Sequence, residues 1–453
     1  MSLARGRAAH RFGLRGWATD WAAARRHWAP ERLTVTALET TGFALFFLML
    51  FVPAAYRPLK VVLLLPLLLA TVVRTLLERR VALHPHVAFG CLLFSVLGVV
   101  FVLRGYLADA PGALRMSTVY VIWPWVNAFL LSSLADEARL WRLARLMVWT
   151  TIAICAYSVS FILWSAGWLP NALYLRLDQG QEIGFYGGFM EFGVRSMASL
   201  LFLVPFVTGA LVTGSHRFRA AHLWLALASG LAIGLLSGRR AFQLILVLGL
   251  PIAVAFRLGL PVKVRRRSGP RVRRTLVSVA AVCIAAVIAL QQTYGLSLGV
   301  VWTKFKTGFQ FSSDAVAQSR ALQFTALIDG WLNSPMLGSG HGASASVIRS
   351  VEMPWAYELS YVAFLYHTGL VGFLLYALGV TWIFVQGVRM IREGASLAPL
   401  MIAALTGMTC FLIANATNPY LEKFDCLWTL FLPLGVVNAW LLKRPAAPTP
   451  VVQ

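Results

Sequence analysis

Apolar runs of roughly 18 residues or more recur along almost the whole chain, separated by short polar or basic stretches. A run of that length can cross a bilayer as a helix, and the weak alternation typical of a membrane β-barrel is not the pattern seen here. The pattern predicts an all-α polytopic membrane protein with about twelve transmembrane helices. The predicted spans are 33–53, 60–73, 85–103, 116–134, 147–168, 196–213, 220–236, 241–259, 275–292, 360–385, 396–414 and 425–442.

The composition supports the same class. Of the 453 residues, 59% are hydrophobic and 13% are charged, whereas a soluble protein carries about twice that charged fraction. Residues 1–32 are polar and basic and precede the first apolar run, so a cleavable signal peptide is not expected.

Basic residues are concentrated in the N-terminal tail and in alternate loops, which indicates the orientation of the chain. Cytoplasmic loops are enriched in Lys and Arg, so both termini are predicted to be cytoplasmic. The net charge of +23 therefore reflects membrane topology, and no nucleic-acid partner is expected. The predicted order is a basic tail (1–32), helices 1–9 (33–292), a large periplasmic loop (293–359), helices 10–12 (360–442) and a disordered cytoplasmic tail (443–453).

Arg239 and Arg240 are the first candidate functional residues. They occur in the short outer turn of "LLSGRRAFQLIL" and begin the predicted eighth helix. Free backbone N–H groups and the helix dipole favour an anion at such a position, and two guanidiniums would bind phosphate there. Snorkelling to lipid headgroups is the alternative interpretation.

Two further arginines face outward. Arg195 opens the sixth predicted helix in "GGFMEFGVRSMASLLF" and could lie over a cavity at membrane level, although an ion pair with Glu191 at i, i+4 spacing explains it equally well. Arg320 lies in "SDAVAQSRALQFTALIDGWL", which predicts a helix within the outer loop. By itself, Arg320 is typical of a solvated surface residue.

His341 and Glu358 are the candidate bases. His341 stands between glycines in "LNSPMLGSGHGASAS", which predicts a mobile turn that could lie against a diphosphate through its backbone amides. Glu358 precedes "LSYVAFLYHTGLVG", where the long loop returns to the membrane. A carboxylate at that depth is costly unless it is paired or functional, so the alternatives are a general base and a structural Glu–Arg pair.

The cysteines and acidic residues do not form a metal pattern. Five cysteines are scattered in or beside apolar segments, which is typical of buried structural thiols. No His, Cys, Asp and Glu cluster has the spacing of metal ligands, so neither a metal nor another cofactor is expected.

Three motifs occur in an order that resembles a known family. "SGRRA" stands in a short outer turn, "NSPMLGSG" follows in the long outer loop, and "ELSYVAFLYHTGLVGFLLY" begins the next span. Over roughly residues 184–385, the chain resembles the O-antigen ligase and O-antigen polymerase superfamily of bacterial inner-membrane glycosyltransferases. The resemblance implies an active site that faces the periplasm and needs no metal.

The resemblance also implies the substrates and the roles of the candidate residues. In that family, arginines bind the diphosphate of an undecaprenyl-diphosphate-linked glycan donor, and the glycan passes to a hydroxyl of an acceptor sugar. Arg195, Arg240 and Arg320 match the family's basic positions, and Arg239 would share the anion or support the turn. Arginines would stabilise the charge that develops on the departing diphosphate.

One departure from the family separates two possible activities. Ligases of the family usually carry a His-Asn pair just before the last large outer loop returns to the membrane, where this chain has Tyr357 and Glu358. Either Glu358 or His341 would therefore be the base. The missing pair favours a polymerase of O-antigen or exopolysaccharide repeat units, which would work with polysaccharide-assembly proteins. The alternatives are a ligase acting on lipid A–core and, in a different class, a transporter of lipid-linked sugar.

Overall fold

The computed structural model describes residues 30–53, 55–78, 81–177, 182–186, 189–265 and 315–444, with 269, 273, 277 and 281 as single positions. The first helices are α1 (Pro30–Phe51), α2 (Arg57–Glu78), α3 (Pro85–Leu107), α4 (Ala113–Ser117), a π-helical turn (Thr118–Ile122), α5 (Trp123–Ser133) and α6 (Glu137–Ser165). The next elements are a 3-10 turn (Asn171–Leu173), β1 (Glu182–Tyr186), β2 (Phe189–Gly193), α7 (Met197–Thr213), α8 (Ala220–Leu236) and α9 (Arg240–Leu258). The last are α10 (Ala315–Leu332), α11 (Ser360–Arg392), α12 (Ala398–Asn415), a 3-10 turn (Phe424–Cys426) and α13 (Trp428–Lys443).

The described part of the chain is mainly helical, as predicted. Within it, six helices are long and apolar enough to cross a membrane, namely α2, α3, α6, α9, α11 and α12. Shorter apolar stretches occur in α1, α7, α8 and α13. The predicted ninth span (275–292), apart from 277 and 281, lies outside the described residues, as do 1–29, most of 266–314 and 445–453.

Two predicted boundaries differ from the structure. α6 begins at Glu137, ten residues before the predicted span, which started at 147. The acidic Glu137 suits the positive end of the helix dipole, and the basic residues of the first turns of α6 are compatible with a helix. The segment after α6 also contains two short strands. β1 and β2 form one short antiparallel hairpin in which Tyr186 pairs with Phe189, an addition to a described chain that is otherwise helical.

The core is built around α7, which is buried at every position except Ala198. α7 packs against α12, α9 and α8. Glycines allow the closest approach: an added Cβ at Gly209 would lie 2.8 Å from the Cα of Ala403, and one at Gly407 would lie 2.7 Å from the ring of Phe202. Small residues at such contacts are a usual basis of helix packing in membranes, where dispersion replaces the hydrophobic effect.

The helix ends meet at two faces. At the first, called the site face here, the end of α3 contacts the segment before α11, because Gly112 N–H donates to Gly342 C=O (3.0 Å). At the opposite face, Glu137 at the start of α6 binds Lys443 at the end of α13 (2.7 Å). Ser396, just before α12, donates to the same carboxylate (3.1 Å). Hence α11, α12 and α13 run alternately between the two faces.

Candidate functional site

The glycine turn completes a broken helix. α11 is interrupted at Gly369, where φ is +61° and ψ is −174°, so the backbone groups on both sides lack helical partners. The turn supplies them: Gly340 N–H donates to His367 C=O (2.8 Å), and Leu370 N–H donates to Pro335 C=O (2.9 Å). The turn segment before α11 therefore takes the place of one missing helical turn.

Only glycine fits at the centre of this turn. Gly340 has φ of +90°, and a Cβ there would overlap the backbone of Gly105 in α3. Arg104 also binds the segment, since its Nε donates to Gly338 C=O (2.7 Å) and its Nη2 donates to Ser334 Oγ (2.8 Å). The predicted mobile, diphosphate-facing turn is thus a closely packed structural element.

His341 is buried in this packing and does not line a cavity. Its imidazole is fully enclosed and stacks on the ring of Tyr120, with 3.9 Å between centroids and 3° between planes. The backbone N–H of His341 donates to Phe101 C=O (2.8 Å). Burial lowers the pKa of His341 well below its usual range, with a further effect from His367, so the ring stays neutral. This placement does not favour the predicted role of His341 as a base.

Glu358 and Arg320, both predicted from the sequence, lie in contact. Glu358 Oε2 accepts a hydrogen bond from Arg320 Nε at 2.5 Å, and Glu358 Oε1 lies 3.1 Å from Arg349 Nη2. α10 carries Arg320 to this position by packing on α11. Both carboxylate oxygens of Glu358 therefore contact an arginine. Of the two alternatives that the sequence allowed for Glu358, this geometry matches the structural Glu–Arg pair. The pairing holds two guanidiniums side by side.

Arg239 joins the same region from α9. It is the N-cap residue of α9, without a capping side chain, and its guanidinium acts electrostatically on the hydroxyl of Tyr420. Burial raises the pKa of Tyr420, against the opposing effect of Arg239. Arg349 acts electrostatically on the same hydroxyl. Tyr420 thus links Arg239 to the group of Arg349, Glu358 and Arg320.

Arg240 and Arg195 are both exposed. Arg240 is the first residue of α9, as the sequence predicted, and lies beside Arg239. Arg195 precedes α7, in the turn that follows β2. The side chain of Glu191 lies outside the described residues, so the predicted Arg195–Glu191 pair is not observed or excluded. The arginines whose contacts are described above are Arg239, Arg320 and Arg349.

A cavity of about 260 Å³ is lined by α3, α11, α12 and the segment between α12 and α13. It follows α11 from Tyr361 to Thr381, roughly 30 Å of helix axis, and reaches α3 and α12. Its aromatic wall consists of Phe94, Tyr120, Tyr361, Phe364, Phe373 and Tyr376. Its polar lining at the site face includes Ser360, Asn415 and Glu422. An apolar cavity whose polar end holds Glu422, within the electrostatic reach of Arg349 and Lys423, suits an amphipathic anion with an apolar chain.

Glu422, like Arg349, is a functional candidate that the sequence analysis missed. It lies in the short segment between α12 and α13, and its Oε2 is fully enclosed without a hydrogen-bond partner among the described residues. Burial raises the pKa of Glu422 to about 8, against the opposing effects of Lys423 and Arg349. The available signal was an acidic residue in the short segment "NPYLEKF" between two apolar runs, where a charge near the membrane needs an explanation.

The site carries a net positive charge. Arg239, Arg320, Arg349 and Lys423 outnumber the two carboxylates, Glu358 and Glu422. Guanidiniums bind phosphate oxygens in a bidentate manner, so this group can hold a phosphate or diphosphate. Within the described residues, no group of three or more His, Cys, Asp or Glu side chains could hold a metal ion.

Comparison with models of protein families and with curated proteins finds no match to this chain.

Proposed function

We propose that the protein is a membrane glycosyltransferase that polymerises lipid-linked repeat units of O-antigen or exopolysaccharide at the periplasmic face. One observation carries the proposal: Arg320 and Arg349 pair with Glu358, and Arg349 acts electrostatically on Glu422, which lines an apolar cavity. A cationic mouth and an apolar channel together match the two ends of a polyprenyl-diphosphate donor.

The distribution of basic residues supports the proposed orientation. Arg139, Arg142, Arg145, Lys443 and Arg444 lie at the opposite face or on helix turns next to it. Basic residues favour the cytoplasmic side, so the site face is proposed to be periplasmic and both termini cytoplasmic. The alternation of α11, α12 and α13 supports the proposed last three spans, and the proposal includes twelve spans with a large periplasmic loop between the ninth and tenth.

The arginines would perform two tasks. They would hold the diphosphate of the undecaprenyl-linked donor while its chain lies along α11, and they would stabilise the charge on the leaving group. Stabilisation of a developing anion by one preorganised donor contributes about 10²–10³-fold to a rate. Glu358 would act by fixing Arg320 and Arg349 in a shared orientation, because its own oxygens are occupied.

Polymerisation is favoured over ligation by the position of the histidine. The sequence lacks the His-Asn pair of the ligases, and His341 is enclosed behind Tyr120 instead of facing the cavity. A ligase would use the same donor site and differ in its acceptor, lipid A–core.

The test uses purified protein in liposomes with radiolabelled undecaprenyl-diphosphate glycan extracted from the producing bacterium, with and without lipid A–core. We expect a ladder of lengthening lipid-linked glycan in the absence of lipid A–core. Label that moves only onto lipid A–core would make the protein a ligase. Label that crosses the bilayer without a new glycosidic bond would make it a transporter.

A variant pair tests the arginine site in the same assay. Arg349→Ala is expected to lower the rate of chain lengthening by about 10²-fold or more, because it removes a charge from the leaving-group site. Arg176→Ala is the matched control, since Arg176 is an exposed arginine of the segment after α6. Equal rates for the two variants would contradict the diphosphate role of Arg349.

A further inference from the structure

We infer that Glu422 is the general base that takes the proton from the acceptor hydroxyl, an inference that rests on the proposed function. The first argument is its place at the mouth of the cavity. Glu422 lines the cavity together with Tyr361 and Asn415, and it lies within electrostatic reach of Arg349. The carboxylate is therefore beside the position proposed for the donor diphosphate.

The second argument is a comparison of the two carboxylates. Both oxygens of Glu358 are engaged by Arg320 and Arg349, which leaves no free oxygen to accept a proton from a sugar. By contrast, Oε2 of Glu422 is enclosed and has no hydrogen-bond partner in the described part of the chain. A general base must reach the proton that it abstracts, and Glu422 meets this condition better than Glu358 because it lines the cavity and Glu358 does not.

The third argument is the support beneath Glu422. Leu421 N–H, next to it, donates to Asn415 Oδ1 at 3.0 Å. Three residues later, Asp425 Oδ2 binds Lys60 Nζ at 2.9 Å in a buried ion pair. The segment that carries Glu422 is thus tied to α12 on one side and to α2 on the other. A catalytic group needs such fixed support to hold its geometry.

The chemistry balances with the groups at the mouth. The acceptor hydroxyl gives its proton to the Glu422 carboxylate while its oxygen forms a bond to the anomeric carbon of the donor glycan. The bond from that carbon to the diphosphate oxygen breaks, and its electron pair leaves with undecaprenyl diphosphate. The arginines stabilise that anion, and the protonated Glu422 then releases its proton to water.

The electrostatic environment agrees with this role. Burial raises the pKa of Glu422 to about 8, close to the pH at which the protein would work. A base whose pKa lies near the working pH combines a useful ionised fraction with a strong tendency to accept a proton.

The test compares Glu422→Gln with Glu352→Gln, an exposed glutamate of the segment before α11. Chain lengthening and binding of tritiated undecaprenyl diphosphate are measured for each variant in liposomes, after thermal unfolding has verified the fold. We expect Glu422→Gln to lower the lengthening rate by about 10²–10⁴-fold and to keep binding within a few-fold of the unchanged protein. Glu352→Gln should keep both. Glu422→Asp, which retains a carboxylate, should recover part of the rate.

The outcomes separate the inference from the function on which it rests. A near-normal lengthening rate for Glu422→Gln would overturn the role of Glu422 while leaving the polymerase intact. Loss of undecaprenyl diphosphate binding together with the rate would show a binding or structural role, and would also overturn it. If the unchanged protein forms no glycosidic bond with any acceptor, the proposed function fails, and the inference fails with it.

Discussion

The imidazole of His341 lies flat on the phenol ring of Tyr120, with 3.9 Å between the ring centroids. Tyr120 forms part of the cavity wall, and His341 supports that wall from behind. The pair therefore joins the glycine turn to the cavity by packing. Stacked aromatic pairs of this kind contribute about 0.5–1.5 kcal/mol beyond the area that they bury.

A packing role for His341 predicts that an aromatic substitute will be tolerated. His341→Phe should retain chain lengthening within a few-fold, because Phe preserves the stacking on Tyr120 and removes two buried ring nitrogens that have no partner among the described residues. His341→Ala should lower the melting temperature, since it leaves a cavity. The lengthening rate and thermal unfolding in detergent measure these effects. A folded His341→Phe protein without activity would restore His341 as a candidate base.

The glycine turn predicts a strong effect on folding. Gly340→Ala should greatly reduce the amount of folded protein, because the residue has φ of +90° and its Cβ would overlap the backbone of Gly105. Gly379→Ala is the control: Gly379 is an exposed position of α11 with no atoms near an added Cβ. Size-exclusion chromatography in detergent gives the folded fraction. Equal yields of the two variants would show that the turn is adaptable.

The sequence predicts the positions of the helices better than their interruptions. Apolar runs mark α3, α9 and α12 clearly, because the bilayer requires about 20 apolar residues in each span. The break at Gly369 was not predicted, since its cause lies in another segment. The motif "HTGLVG" can break a helix only because the turn around Gly340 supplies the missing hydrogen bonds.

The sequence also marks charged residues near the membrane without revealing their partners. Arg320 and Glu358 were both predicted, yet their ion pair joins residues 38 positions apart and depends on the packing of α10 on α11. Glu422 and Arg349 were missed for a similar reason. Each resembles an ordinary loop charge until the folded chain brings it to the cavity mouth.

The buried Lys60–Asp425 pair predicts a large loss of stability when only one partner is removed. Both side chains are at most 2% exposed, and Lys60 Nζ also donates to Val52 C=O at 2.8 Å. Lys60→Met should lower the free energy of unfolding by about 3–5 kcal/mol, because it leaves Asp425 buried without its cation.

The control is the exposed pair of Lys443 and Glu137, where the lysine side chain is 54% exposed. Lys443→Met should cost about 0–1 kcal/mol, because solvent screens the attraction. The double variant Lys60→Met with Asp425→Leu should regain much of the lost stability. Denaturant unfolding in detergent micelles measures all three variants. Similar losses for Lys60→Met and Lys443→Met would mean that the Lys60–Asp425 pair is not desolvated in the membrane.

The raised pKa of Glu422 predicts a pH dependence with a definite sign. The carboxylate is the active form of the base, so the lengthening rate should rise as the pH increases from 6.5 to 8.5, with a midpoint near 8. The positive groups that act on Glu422 are Arg349 and Lys423, and the phenols of Tyr120 and Tyr357 lie within reach of its charge.

The free energy of unfolding should change with pH in the direction opposite to the lengthening rate, and over a wider pH range. The folded protein holds the Glu422 proton up to about pH 8, whereas the unfolded chain loses it near the ordinary value of 4.5. Because the folded state binds more protons within this window, the free energy of unfolding should fall as the pH rises through it. Glu422→Gln removes the titrating group, so it should flatten both the residual rate and this part of the stability curve, whereas Glu352→Gln should leave both unchanged. A rate profile that keeps its midpoint near 8 in Glu422→Gln would assign the titration to another group.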